Sequence, residues 1–149
     1  MLDVSTDDRA FAQDLRSLYT RLGNLRPVLD SIGMELETRV SGRFETRTDP
    51  RGSGWAAWAP MTIATYPHDG NRRLLDRYGD MLASLTHAAD ATSVRVGFGQ
   101  SYATFHEFGT EHMPRRGLLF SDPEAGTLAD DDEAAVLDIL SVWINDLTK

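Results

Sequence analysis

His106, Glu107 and His112 carry the residue types of a metal-dependent hydrolase: two imidazoles to hold zinc and a carboxylate to serve as general base. Their spacing argues against that chemistry. A zinc-binding helix places its two histidines one turn apart, as H-E-x-x-H, so that both lie on one face. Here the spacing is H-E-x-x-x-x-H. Six residues at about 100° each turn through roughly 600°, which puts His112 about 120° away from His106 on a continuous helix. Gly109 falls between them and is expected to end the helix. A small zinc-dependent hydrolase therefore requires a loop that brings His112 back, and it stands as the alternative reading. The leading reading is a non-catalytic helix–turn–strand element with His106 at its edge, no catalytic residue, no metal and no cofactor.

The elements that position this stretch follow from periodicity. Ser5 to Asp8 offers N-caps for a first helix, with Phe11, Leu15, Leu18 and Leu22 as its apolar stripe. Gly23-Asn24 interrupts it. A second helix follows, tolerating Pro27 in its first turn, with Val28 or Leu29, Ile32, Leu36, Val40 and Phe44 on one face. Thr48 to Gly54 stops that helix, and residues from about 49 to 72 read as a long irregular loop containing Trp55 and Trp58. A short helix or turn is predicted near Gly79 to Ser84. Leu85–Ala89 and Ser93–Gly97 are expected to pair across an Asp90-Ala91-Thr92 turn. Tyr102 to Phe108 reads as a short helix and Gly117–Phe120 as a further strand. Asp130 to Glu133 suits the positive end of a last helix, whose stripe is Val136, Leu140, Trp143 or Ile144, and Leu147. The expected fold class is α+β: N-terminal helices, a small mostly antiparallel sheet, and a C-terminal amphipathic helix packed on the sheet, in one domain spanning 1–149.

Composition narrows function further. The chain has 149 residues, no cysteine and a formal net charge of −8. Disulfides, cysteine catalysis and thiolate metal sites are excluded, and binding of free duplex DNA through a basic face is disfavoured. No long apolar run marks a membrane span, and the N-terminus lacks the pattern of a signal peptide. Gly97-Phe98-Gly99 lacks the third glycine and the βαβ setting of a nucleotide loop. What the irregular parts do concentrate is aromatics and arginine, the types that dominate interface energetics. Trp55, Trp58, Arg72, Arg73, Arg115 and Arg116 are the candidates for a subunit or connector interface.

Several of these pieces together resemble the phage virion morphogenesis family, the tail completion proteins of Mu-like phages. Ile32-Gly33 and Phe44 resemble its opening helix. Asp49-Pro50 and Gly54-Trp55 resemble its proline-tryptophan loop, and Leu74-Leu75, Gly79 and Leu82 its apolar-Gly-x-x-Leu motif. The most specific match runs through Val96-Gly97, Tyr102-Ala103, His106 and Phe108-Gly109, followed by Pro114, Arg116 and Leu119. Gly117 stands where the family usually has a second proline. Arg72 and Arg73 lie near the place of a frequent lysine.

The resemblance implies a structural virion protein of the neck or tail, made and assembled in the cytoplasm of a bacterial host. It would join the tail to the head connector, with the connector, a tail terminator or tube protein and its own copies as partners, and no membrane. A chain of this length has a diameter of about 40 Å, and a channel wide enough for duplex DNA then accommodates about six such subunits in a ring. DNA would pass nearby without specific binding, and the net acidity suits a lumen past which DNA slides.

Overall fold

The computed structural model describes residues 8–149. The Ser5–Asp7 cap candidates and the Phe11 side chain lie outside the described residues. Six helices and one hairpin follow in the order α1 (Asp8–Leu22), α2 (Arg26–Thr46), α3 (Pro60–Thr65), α4 (Asp80–Ala83), β1 (Leu85–Ala89), β2 (Val94–Phe98), α5 (Ala103–Phe108) and α6 (Asp130–Leu147). The fold is α+β.

The centre of the molecule is α2 lying across the two-stranded antiparallel sheet. Proline sits in the first turn of α2, where a missing N–H costs nothing. The helix ends at Arg47, which takes the left-handed conformation (φ 57°) and returns its amide to the Arg43 carbonyl at 2.7 Å. Val28, Ile32, Val40 and Phe44 from the expected stripe are buried. The sheet is in register from Leu85 opposite Phe98 to Ala89 opposite Val94. Its turn is held by Asp90, whose carboxylate accepts the amides of Thr92 and Ser93, each at 2.8 Å. Those hydrogen bonds favour the ionised form and lower the Asp90 pKa to about 2.

Phe44 links the sheet to the following loop, meeting Phe98 at 6.2 Å and Trp55 edge-on at 5.5 Å between ring centroids. Trp55 is brought there by a tight turn in which Asp49 accepts the amides of Arg51 and Ser53. Its own amide bonds the Arg47 carbonyl at 2.7 Å. Trp55, Met81, Leu85, Ala103 and Leu118 close the core around Val40 and Phe44.

Three details differ from expectation. Residues 49 to 72 are not irregular throughout, because Pro60 starts the short helix α3. Its Met61 and Ile63 are exposed, so no buried stripe announced it. Gly117–Phe120 is not a strand: β1 and β2 form a two-stranded sheet, and residues 117–120 have no ladder pairing. The C-terminal helix α6 packs chiefly on α2 rather than on the sheet. Asp132 explains that docking. It is buried in the first turn of α6 and pairs with the buried Arg43 of α2, while Arg39 approaches it at 3.7 Å. The acidic run therefore does more than suit a helix end.

Candidate functional site, a groove lined by aromatics and arginine

α5 ends at Gly109, with φ 74° and ψ 173°. This conformation suits only glycine, and a Cβ there would meet the Arg115 nitrogen at 2.9 Å. The chain makes a narrow turn, with Thr110 and Met113 exchanging backbone hydrogen bonds, and returns along α5. The Arg116 amide then donates to the His106 carbonyl at 2.8 Å.

The returning segment is fastened by side chains. Glu107 is buried, and its carboxylate accepts the amides of Leu118 (2.5 Å), Leu119 (3.0 Å) and Phe120 (2.9 Å). Trp55 Nε1 donates to the Gly117 carbonyl at 3.0 Å, and Arg43 to that of Leu118 at 2.6 Å. Arg115 bridges the Glu107 and Phe120 carbonyls. Arg116 reaches the other way and donates to the carbonyls of Ala56 and Ala57, both at 2.8 Å. These groups supply the partners a sheet would have given, which is why an apolar run that reads as a strand is not one.

The same arrangement answers the metal reading. The Glu107 carboxylate, which would have to act as base, is committed to three backbone amides. Among the described residues no group of three His, Cys, Asp or Glu side chains is placed to hold a metal ion. His106 does something else: its Nδ1 is buried without a hydrogen-bond partner. Burial, and secondarily the charge of Arg116, lower its pKa and favour the neutral ring.

Between α5 and the loop before α4 lies an open groove of about 790 Å³. Trp58, Tyr66, Arg73, Tyr102, His106, His112, Pro114 and Arg116 are among its lining. Tyr66 organises one wall. Its ring packs on Trp58 at 4.8 Å, the guanidinium groups of Arg72 and Arg77 lie 5.9 and 5.6 Å from its centroid, and its hydroxyl accepts the Arg72 amide at 2.9 Å. Gly70 makes room, since a Cβ there would come within 2.6 Å of the ring. Arg72 and Leu75 both take positive φ, 52° and 59°, and the turn is braced by buried Asp76, which accepts from Asn71 and lies 3.5 Å from Arg73. Arg73 also pairs with Glu45 at 2.6 Å.

The structure thus separates the six interface candidates. Trp58, Arg73 and Arg116 line the groove and Arg72 stacks at its edge, whereas Trp55 is buried in the core and the Arg115 guanidinium is turned to backbone carbonyls. The motif glycines have structural work: Gly79 takes φ 85° before α4 and Gly109 ends α5. Gly97 sits in β2 opposite Thr86, and Phe108 is exposed beside Gly109. The buried Arg43–Asp132 pair and the three-amide role of Glu107 were missed. Neither leaves a sequence signal, because the partners lie 89 and 11 or more residues apart.

The molecule is thus an α+β module with a groove lined by aromatics and arginine and a carboxylate spent on backbone amides. The chain belongs to the phage virion morphogenesis family, whose family model matches residues 6–145. No curated protein matches it, and no solved structure does. Family membership brings a structural role in a phage particle. No helix of the described residues is long and apolar enough to cross a membrane.

Proposed function

We propose that this chain completes the phage tail and joins it to the head connector, as a ring of about six copies around the DNA channel, the number set by subunit size. The observation that carries the reading is the groove. Its exposed arginines and half-buried aromatics sit on loops braced by partly buried hydrogen bonds, so contact residues are held in place before a partner arrives. Trp58, Arg72 and Arg73 are the contact residues on this reading, joined by Arg77, which flanks the same ring. Trp55, Arg115 and Arg116 support them from beneath. The connector and a tail terminator or tube protein are the partners, and the acidic charge keeps DNA from adhering as it passes.

The test uses Trp58→Ala and the Arg72→Ala/Arg77→Ala pair in a phage dependent on this chain. Thermal unfolding should change little, while heads and tails accumulate unjoined. Normal yields of joined particles from stable variants would refute the groove as the contact. Native mass spectrometry of isolated necks tests the ring, and one or two copies per particle would exclude it.

A further inference from the structure

We infer that the groove receives one carboxylate, the side chain of an aspartate or glutamate flanked by apolar residues on a partner chain. The inference rests on the groove being the joining surface and names what the partner brings. Two groups of the lining carry it. Arg116 is buried, at 7% exposure, and burial is what lowers its pKa. Its Nε and Nη2 donate to the Ala56 and Ala57 carbonyls, which are dipoles without net charge. Among the described residues no carboxylate pairs with it, and its Nη1 has no hydrogen-bond partner. An enclosed guanidinium without a counter-charge is destabilising, and an arriving carboxylate supplies that charge.

His106 offers a second donor. Its Nδ1 is enclosed without a partner, and its Nε2 makes no hydrogen bond either. We assign the ring proton to Nε2, which leaves at Nδ1 a stranded lone pair in place of a stranded N–H. Burial first, and then the charge of Arg116, lower the His106 pKa, which marks the two side chains as neighbours in the lining.

Charge and surroundings select the occupant. Of the other charged groups in the lining, Arg73 is engaged by Asp76 and by Glu45, and the exposed Arg77 and Asp80 balance each other. Arg116 therefore calls for a single negative charge. Nucleic acid brings a run of them and meets Asp80 and a net charge of −8. A chain end is captured by clustered backbone amides, whereas the Arg116 amide is already given to the His106 carbonyl. Leu74, Met81, Met113 and Pro114 line the same groove and suit apolar neighbours of the acidic residue.

The probes are acetyl-Leu-Glu-Leu-amide and its Phe-Glu-Phe and Trp-Glu-Trp counterparts, titrated to millimolar concentration into purified full-length protein. NMR of the Arg116 Nε and His106 ring signals is the readout. At least one probe should bind and shift both signals, and should lose about tenfold in affinity when its Glu becomes Gln, the scale of a hydrogen bond to a charged group. His106→Phe keeps a ring of similar size and should weaken binding about threefold to tenfold. Arg116→Gln should abolish binding, and if that variant does not fold, His106→Phe decides. The proposal is overturned if no probe binds, or if the Gln peptides bind equally well. Tighter binding of acetyl-Leu-Leu-Leu with a free C-terminus, or of an oligothymidylate, overturns it too. If no probe binds while Trp58→Ala blocks joining, the carboxylate site falls and the groove contact stands. If a Glu probe binds as expected while Trp58→Ala particles join normally, the joining role falls and the carboxylate site stands.

Discussion

Two halves of this molecule are held together by different means. Around α2 and the hairpin, regular elements satisfy their own backbone groups and the cohesion comes from apolar side chains, with Val40, Phe44 and Leu85 at the centre. From Gly109 to Ala129 there is no helix or strand, yet Leu118 is almost completely buried. There, Glu107, Arg115, Arg116, Arg43 and Trp55 serve the backbone individually. The difference teaches that an irregular segment can be as fixed as a sheet when polar side chains supply its hydrogen bonds. It also identifies its weakness. A core residue shares its work with many neighbours, whereas each of these side chains serves particular backbone groups of the segment and the loop beside it.

The largest effect is expected at Glu107. Replacing it by alanine leaves three amides without their acceptor at roughly 1–3 kcal/mol each, for a loss of about 3–9 kcal/mol. Phe44→Ala in the apolar half should cost about 3–5 kcal/mol. Urea unfolding of both variants measures the comparison. A Glu107→Ala protein within experimental error of the parent, beside a strongly weakened Phe44→Ala, would show that the irregular half contributes little.

Next comes the Arg43–Asp132 pair, where the two modes meet. Arg43→Ala strands a buried carboxylate and should cost about 3–5 kcal/mol. Converting both to apolar residues, Arg43→Met with Asp132→Leu, should recover most of that loss. If the double variant is no better than the single one, the hydrogen bond from Arg43 to the Leu118 carbonyl matters more than the ion pair. Gly109→Ala should follow at about 2 kcal/mol, from backbone strain at its positive φ and crowding against Arg115. Thermal denaturation checks it, and Gly126→Ala, with similar φ but open space around it, is the control for strain alone.

The same division explains what the sequence makes legible. The α2 stripe, the Leu85–Ala89 strand and its turn at Asp90 could be read because period and turn chemistry are local. The end of α5 at Gly109 was readable for the same reason. Leu118 to Phe120 misled because an apolar run shows burial without showing which groups take its amides, and Glu107 lies 11 to 13 residues away. Asp132 misled because a carboxylate in a first helical turn already has a local explanation. The stripe of α6 showed that the helix packs, but a stripe carries no address, and the buried arginine on α2 supplied it. At the groove, the aromatic and arginine content was visible, whereas the inward turn of Arg115 and the burial of Trp55 required the fold.

The smallest expected effect opposes the two halves in one titration. His87, on β1, lies against Gly33 of α2, where a Cβ would come within 2.4 Å of its ring. Its Nδ1 meets Glu37 at 2.5 Å and its Nε2 meets Asp30 at 3.2 Å. The hydrogen bond to Glu37 leads the causes that raise its pKa above the ordinary 6.5, against the lowering effect of partial burial. Its stabilising contribution is therefore complete below pH 6.5 and is lost as pH rises through the folded value. His106, in the irregular half, runs the other way. Burial lowers its pKa from 6.5, so the folded chain resists protonation and loses stability as pH falls below that value. The two slopes act on opposite sides of pH 6.5 in the parent protein. His106→Asn should expose the His87 slope, with unfolding free energy declining by about 1 kcal/mol or less between roughly pH 6 and pH 8. His87→Gln should expose the opposite slope at lower pH, stability rising as pH climbs toward 6.5 and levelling above it. Urea titrations at several pH values, kept above the carboxylate range, measure both, and NMR of the ring protons assigns each pKa. Parallel slopes in the two variants would mean that the histidines do not report on separate environments, and that the carboxylates around α2 govern the pH response alone.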